Sequence, residues 1–340
     1  MSASKTTGER RPWRKLLTAY HTPNLKRSVL EILVTAAPLA LLWLFAWIAV
    51  ANGLWWLGLL LAAPAAAFLV RLFMIQHDCS HRSFFASAAA NDWIGRVIGV
   101  LTLTPYDCWR RTHAIHHGTS GNLDRRGIGE VATLTVEEYR ALPLIKRIGY
   151  RLYRNPLVLF GLGPAFLFLL QHRLPMGLMR EGWRPWVSAL ATNAAIAAFV
   201  VLAIVLGGWT GLLLVHLPTV LLAGTIGVWL FYVQHQFEQT YWARQGEWDM
   251  TEAALRGSSY YDLPQPFRWL TANIGVHHVH HASSRIPFYR LSRVLKDYPE
   301  LRETSRIGLV ESLRTVFLAL WDEQQKRLVS FRAAKRLARA

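Results

Sequence analysis

The sequence predicts an all-α integral membrane protein with four transmembrane helices, and three observations carry that expectation. Of its 340 residues, 52% are hydrophobic, only 17% are charged and 15 are Trp. From Trp186 to Phe237 there is not one Asp, Glu, Lys or Arg, a run long enough for two helices of the ~20 apolar residues that cross a bilayer, with a turn between them. The net charge of +17 then falls to the connections, where basic residues set orientation across a membrane. The same figures exclude a disordered, collagen-like or disulfide-stapled chain. They also argue against nucleic acid as the partner of the basic charge, because orientation already accounts for it.

The elements follow in order. Residues 1–27 are polar and basic (Arg10, Arg11, Arg14, Lys15, Lys26 and Arg27). The uncharged stretch 32–51 is the first span; it is a full span long, unlike the short apolar core of a cleaved signal peptide. A connection of the tight-turn kind, Ala51-Asn52-Gly53, leads to the second span at 53–70, and Arg71 marks the return to an interface. Residues 76–154 are charged. The stretch 155–172 is uncharged but interrupted by Gly161, Gly163 and Pro164; a kinked span, a re-entrant hairpin and an interfacial helix all fit it, and the two non-spanning readings suit the topology. The third and fourth spans, 186–206 and 212–233, are joined by a glycine-rich turn. A basic tail, 322–340, carries Lys326, Arg327, Arg332, Lys335, Arg336 and Arg339. Neither short connection between spans contains Lys or Arg, so both termini, 76–185 and 234–340 are expected on the cytoplasmic side of one membrane domain covering 1–340. The two cysteines, Cys79 and Cys108, read as free thiols in a reducing cytoplasm.

Of 13 histidines, nine fall in three compact clusters: His77 with His81; His113 with His116 and His117; and His277 with His278, His280 and His281. Residues three and four apart share one face of a helix, so the first cluster aims two imidazoles at one point and the second aims three. Neutral imidazole is a common nitrogen ligand for iron, zinc, copper and nickel. Eight such ligands, leaving His278 aside, exceed the need of one ion and suit two metals sharing a site. Ligation without thiolate argues against a closed structural zinc site; iron is the expected metal and zinc the alternative. Cys79, two residues from His77, points away from the shared face. His21, His172 and His216 read as ordinary polar residues.

In their order and flanks these segments resemble the membrane-bound fatty acid desaturase family, more narrowly its bacterial acyl-lipid, delta-12/omega-6-like branch. The resemblance covers most of 65–295. It is carried by QHDCSHRSFF (76–85), TPYDCWRRTHAIHH (104–117), GNLDRRGIGE (121–130), RLYRNPLVLFG (151–161), YVQHQFEQTYW (232–242), GSSYYDLP (257–264) and NIGVHHVHHASSRIPFYRL (273–291). It implies four transmembrane helices carrying a cytoplasmic helical cap with a histidine-ligated di-iron site. The implied ligands are His77, His81, His113, His116, His117, His277, His280 and His281, with His235 as the ninth. The HQFE context of His235 departs from the NxxxH arrangement of acyl-CoA desaturases. His278 is an extra histidine and a candidate supporting residue. Asp78, Glu238, Asp249 and Asn273 are candidates to orient the imidazoles by their other ring nitrogens.

The implied reaction is an oxygen-dependent removal of two hydrogens from adjacent methylenes of an acyl chain in a membrane lipid, giving a cis double bond. Trp109, Trp229, Trp242, Trp248 and Trp269 lie near the clusters as candidate walls for the chain. Arg110 and Arg111, ahead of the second cluster, are candidates for a phosphate headgroup or an acidic electron donor. No nucleotide-binding glycine loop or HPGG haem segment occurs in the sequence, so the two electrons per turnover are expected from a separate ferredoxin-like protein with its reductase. A hydroxylase, ketolase or epoxygenase would share the same clusters. A metal transporter would instead place its ligands near the membrane midplane, whereas these clusters lie outside the spans. The bacterial cytoplasmic (inner) membrane is the expected location.

Overall fold

The computed structural model describes residues 12–337; Arg10, Arg11 and Arg339 of the basic ends lie outside the described residues. The described chain is mostly helical. Helix α1 (Leu25–Ala51) is capped by Asn24, whose side chain accepts from Arg27 N, and turns at Gly53, where φ is +80°. Helix α2 (Trp55–Ser80) then packs back along α1. It runs past its expected end at 70 because Arg71 does not face water: the side chain is 1% exposed. Its guanidinium pairs with Glu31 and donates to Thr35 Oγ1 at 3.2 Å and to the Trp269 carbonyl, 4.0 Å above the Trp269 ring. The charge that ended the span in sequence is therefore neutralised inside the protein.

Helix α3 (Ala88–Leu101) is capped by Ser87, and α4 (Tyr106–Thr119) starts after Pro105. Tyr106 fixes α4 against α2 by donating to the Cys79 carbonyl at 2.9 Å. A side chain at Gly95 would stand 2.2 Å from the Tyr106 ring, so only glycine lets α3 and α4 approach so closely. Helix α5 (Leu144–Tyr153) is followed, after a short break, by a helical stretch over 158–173 bent 61° away from it.

The long uncharged run forms α6 (Arg184–Gly211) and α7 (Leu217–His235), linked by a helical turn at Leu212–His216. A straight helix of these 52 residues would extend about 78 Å. Instead Cys108 Sγ lies 3.2 Å from the Pro185 carbonyl and His116 Nε2 lies 3.1 Å from His235 Nε2, so both ends meet α4, a helix about 21 Å long. The run doubles back at Gly208, whose φ of 71° and ψ of 173° suit glycine alone. Trp47, near the end of α1, packs on Gly207 and Gly211, which brings the two turns lacking Lys and Arg to the same end, away from the histidines. Large apolar residues such as Leu41, Leu44, Val205 and Leu206 point outward along these helices, each more than half exposed, a surface that lipid covers.

The all-α expectation needs one correction. Short strands lie among the polar segments: β1 (Leu134–Thr135), β2 (Tyr260–Asp262), β3 (Arg306–Gly308), β4 (Leu318–Asp322) and β5 (Arg327–Ser330). β1 pairs parallel with β4 and β4 antiparallel with β5; β2 pairs parallel with β3. The stretch read only as a basic tail thus begins with a folded hairpin. It is anchored by Arg154, 3% exposed, which donates to the Leu318 carbonyl at 2.7 Å and to Gln236 Oε1 at 2.9 Å. Helix α8 (His277–Ala282) and helix α9 (Phe288–Asp297) complete the part that matters for the site.

Candidate metal centre

Four elements deliver imidazoles to one place. His77 sits in the last turn of α2 and His81 caps it; His113, His116 and His117 lie on α4; His235 ends α7; His277, His280 and His281 lie on α8. All nine histidines named as ligands in the sequence come together, and they divide into two groups. One comprises His77, His81, His113, His117 and His280; the other His116, His235, His277 and His281, and within each group the candidate ligand atoms lie within 4.8 Å of one another. The Nε2 atoms approach in pairs: His113 and His81 at 3.1 Å, His117 and His113 at 3.2 Å, His280 and His117 at 3.2 Å, His277 and His235 at 3.0 Å. Two imidazole nitrogens each about 2.1 Å from a common ion, at right or tetrahedral angles, stand roughly 3.0–3.4 Å apart. The spacing fits two metal ions side by side, and the ring of His117 stacks on that of His281 at 4.1 Å across the two groups.

The electrostatics agree. Burial first, and repulsion among neighbouring imidazoles second, hold His113, His116, His117, His277, His280 and His281 well below the usual imidazole range. All six are neutral at pH 7 and offer a lone pair. His235 is oriented from behind: its Nδ1 lies 3.1 Å from the Gly257 carbonyl, which can only accept, so Nδ1 carries the proton and Nε2 faces the group. Among the described residues, buried Nδ1 of His116, His277 and His280 and buried Nε2 of His281 have no hydrogen-bond partner, a cost that metal ligation by these rings would help to offset.

The supporting candidates separate. Asp78 Oδ1 lies 3.4 Å from His77 Nδ1 while its Oδ2 accepts from Phe288 N at 2.7 Å, so this carboxylate links α2 to α9 behind the ring. Glu238 is bound to Arg327 at 2.8 Å, Asn273 Oδ1 accepts from Ser292 Oγ at 2.8 Å, and Asp249 caps the helix Met250–Arg256. His278 belongs to neither group; its Nε2 lies 2.9 Å from the Leu301 carbonyl. At about 100° per residue, 277, 280 and 281 fall on one arc of α8 and 278 lies outside it.

Of the five tryptophans, Trp109 lies against the histidines, stacked on His113 at 4.4 Å. Trp242 packs with Leu123, Trp321 and Leu328, Trp248 donates to the Ser120 carbonyl, Trp229 meets Phe160 and Trp269 lies under Arg71. Arg111 pairs with Glu181. Both cysteines are free. Sequence reasoning missed the Gly257 carbonyl, Phe231 against His116 and His235, and Arg154. For Phe231 the signal was available, four residues before His235; the carbonyl left none.

A mostly helical, outwardly apolar chain with nine imidazoles, buried or half-buried, in two adjoining groups defines a membrane-associated protein able to hold a pair of metal ions. The comparisons give the class its name. A sequence model described as fatty acid desaturase matches residues 53–311. A fatty acid desaturase of Bacillus subtilis (strain 168) is 43% identical over 323 residues, 95% of this chain and 91% of the relative. Two proteins of Synechocystis sp. are also similar: an sn-1 acyl-lipid omega-3 desaturase (ferredoxin), 30% identical over 74% of this chain and 70% of its own, and an sn-1 oleoyl-lipid 12-desaturase, 29% identical over 66% and 63%. The chain belongs to the fatty acid desaturase family and is an oxidoreductase.

Proposed function

We infer that this protein is an acyl-lipid desaturase of the bacterial cytoplasmic (inner) membrane, with two iron ions held by His77, His81, His113, His117 and His280 on one side and His116, His235, His277 and His281 on the other. The observation that carries the reading is the division of nine imidazoles, six buried and three half-buried, into two groups with ligand spacing. Iron bound there would supply reductive activation of oxygen for the removal of two hydrogens from an acyl chain. The chain's own residues do the rest. Trp109 and Phe231 shield the imidazoles from water, and the Gly257 carbonyl and Asp78 hold His235 and His77 in orientation.

Four membrane crossings, by α1, α2, α6 and α7, follow from the two hairpins, with the stretch over 155–172 interfacial or re-entrant and the remaining polar helices forming a cap on the cytoplasmic side. Both termini lie on that side, by the distribution of Lys and Arg. A membrane-lipid substrate and a ferredoxin-like donor are supported by the names of the Synechocystis relatives and by the basic charge of this chain.

The test is a mass-spectrometric acyl-chain profile of membranes from a host that expresses the protein, beside the His116→Ala variant. The expected result is a new unsaturated chain, absent with the variant, and iron near two per purified chain. An oxygenated chain would move the assignment to a hydroxylase, and iron near zero would overturn the metal assignment.

A further inference from the structure

Between the start of α1 and α9 a groove of about 530 Å³ opens at the surface. Lys26, Arg27, Arg290 and Arg293 line it together with Asn24, Leu30 and Tyr289. Arg27 shares the Glu31 carboxylate, at 2.7 Å, with the buried Arg71, and Arg293 lies 3.5 Å from Asp297. Neither Lys26 nor Arg290 has a carboxylate partner among the described residues. The wall of the groove is fixed: Tyr289 Oη accepts from Asn24 N at 2.8 Å and lies 3.3 Å from Ser28 Oγ, which donates to the Phe84 carbonyl at 2.6 Å. At its outer lip Leu25, Leu30 and Leu33 are 68%, 45% and 58% exposed and continue onto the apolar surface of α1.

Orientation by basic residues needs them only on the correct side of the membrane; it does not need four of them converging on one concavity. Like charges held together, two without a counter-charge, are stabilised by an anion between them. The apolar lip selects an anion that carries hydrocarbon, at the depth where a membrane helix emerges. We propose that this groove binds the phosphate headgroup of an anionic phospholipid such as phosphatidylglycerol. The proposal rests on the membrane placement of α1 and is independent of the metal and of the reaction, so it can fail while the desaturase reading stands, and the reverse.

The experiment is native mass spectrometry of the detergent-solubilised full chain titrated with phosphatidylglycerol, phosphatidylcholine or inorganic phosphate. Phosphatidylglycerol is expected to be retained well above the other two. The double variant Lys26→Gln with Arg290→Gln is expected to weaken that retention about thirtyfold, from the usual contribution of two cations at a membrane surface, whereas Lys335→Gln with Arg336→Gln, which removes the same charge from an exposed helix, leaves it unchanged. An unaltered thermal transition checks the fold. If the double variant lacks that transition, Lys26→Gln alone, expected at about fivefold, carries the comparison. Equal loss in both double variants, or equal retention of the two lipids, would overturn the proposal. So would displacement of the lipid by inorganic phosphate at the same concentration.

Discussion

His116 and His117 are neighbours in sequence, yet they belong to different groups, and so do His280 and His281. A step of about 100° around the helix turns each pair into a fork that reaches both groups from one backbone, and the helix fixes the distance between them. His277 and His278 make the opposite use of the same step: one ring enters the site and the other anchors α8 at the Leu301 carbonyl. The spacing showed that the clustered rings converge, but it aimed His113, His116 and His117 at one point and did not show how they divide between the groups. The anchoring of His278 depended on Leu301, which no sequence pattern connects to residue 278. The buried rings also set a pH dependence. Their folded-state values lie below 6.5, so below that pH the unfolded chain binds more protons than the folded one, and stability falls as pH falls. For metal-free protein the thermal midpoint should therefore decline from about pH 6.5 downward and show no slope from these rings between pH 7 and 9. A midpoint that rose on acidification would contradict neutral imidazoles.

At the scale of elements, the apolar runs were legible because lipid imposes a long, uncharged stretch that few soluble segments have. Their ends were less so. α2 extends to Ser80 because Glu31, on the preceding helix, neutralises Arg71, a pairing across the fold that composition cannot register. The strands were missed because each is five residues or fewer and gains its order from partners far away in the chain. The Arg71–Glu31 pair gives a prediction of its own. Removing one partner of a buried pair strands the other charge and costs about 3–5 kcal/mol, while replacing both with apolar residues is often close to neutral. Thermal unfolding of purified Arg71→Met and Glu31→Leu should thus show large losses. The double variant should recover most of the loss, short of the contact with the Trp269 carbonyl. Additive losses would show that the pair is not the unit holding α1, α2 and the Trp269 loop together.

For the whole molecule, the proposed orientation puts most of the net charge of +17 on the same side of the membrane as the histidines. Attraction between that charge and an acidic redox partner would raise the association rate and weaken as salt screens it, over a Debye length of about 8 Å at physiological ionic strength. Turnover driven by a ferredoxin should fall as salt is raised from 50 to 300 mM at fixed, subsaturating donor, and should not fall when the donor is saturating. Turnover indifferent to salt at low donor concentration would remove steering from the account.

The histidines are spread from 77 to 281 along the chain, and the two groups share them unequally. His77, His81, His113 and His117 of the first group are all made before α5, whereas the second has only His116 until α7 is complete. During synthesis, then, the first group is nearly whole while the ribosome still has all of the apolar helices α6 and α7 to produce. The second can close only after the hairpin at Gly208 has folded back and α8 has emerged. Each group also waits for α8 to supply its last member, so maturation of the site is tied to the final third of translation, and a chain released early would carry half a centre.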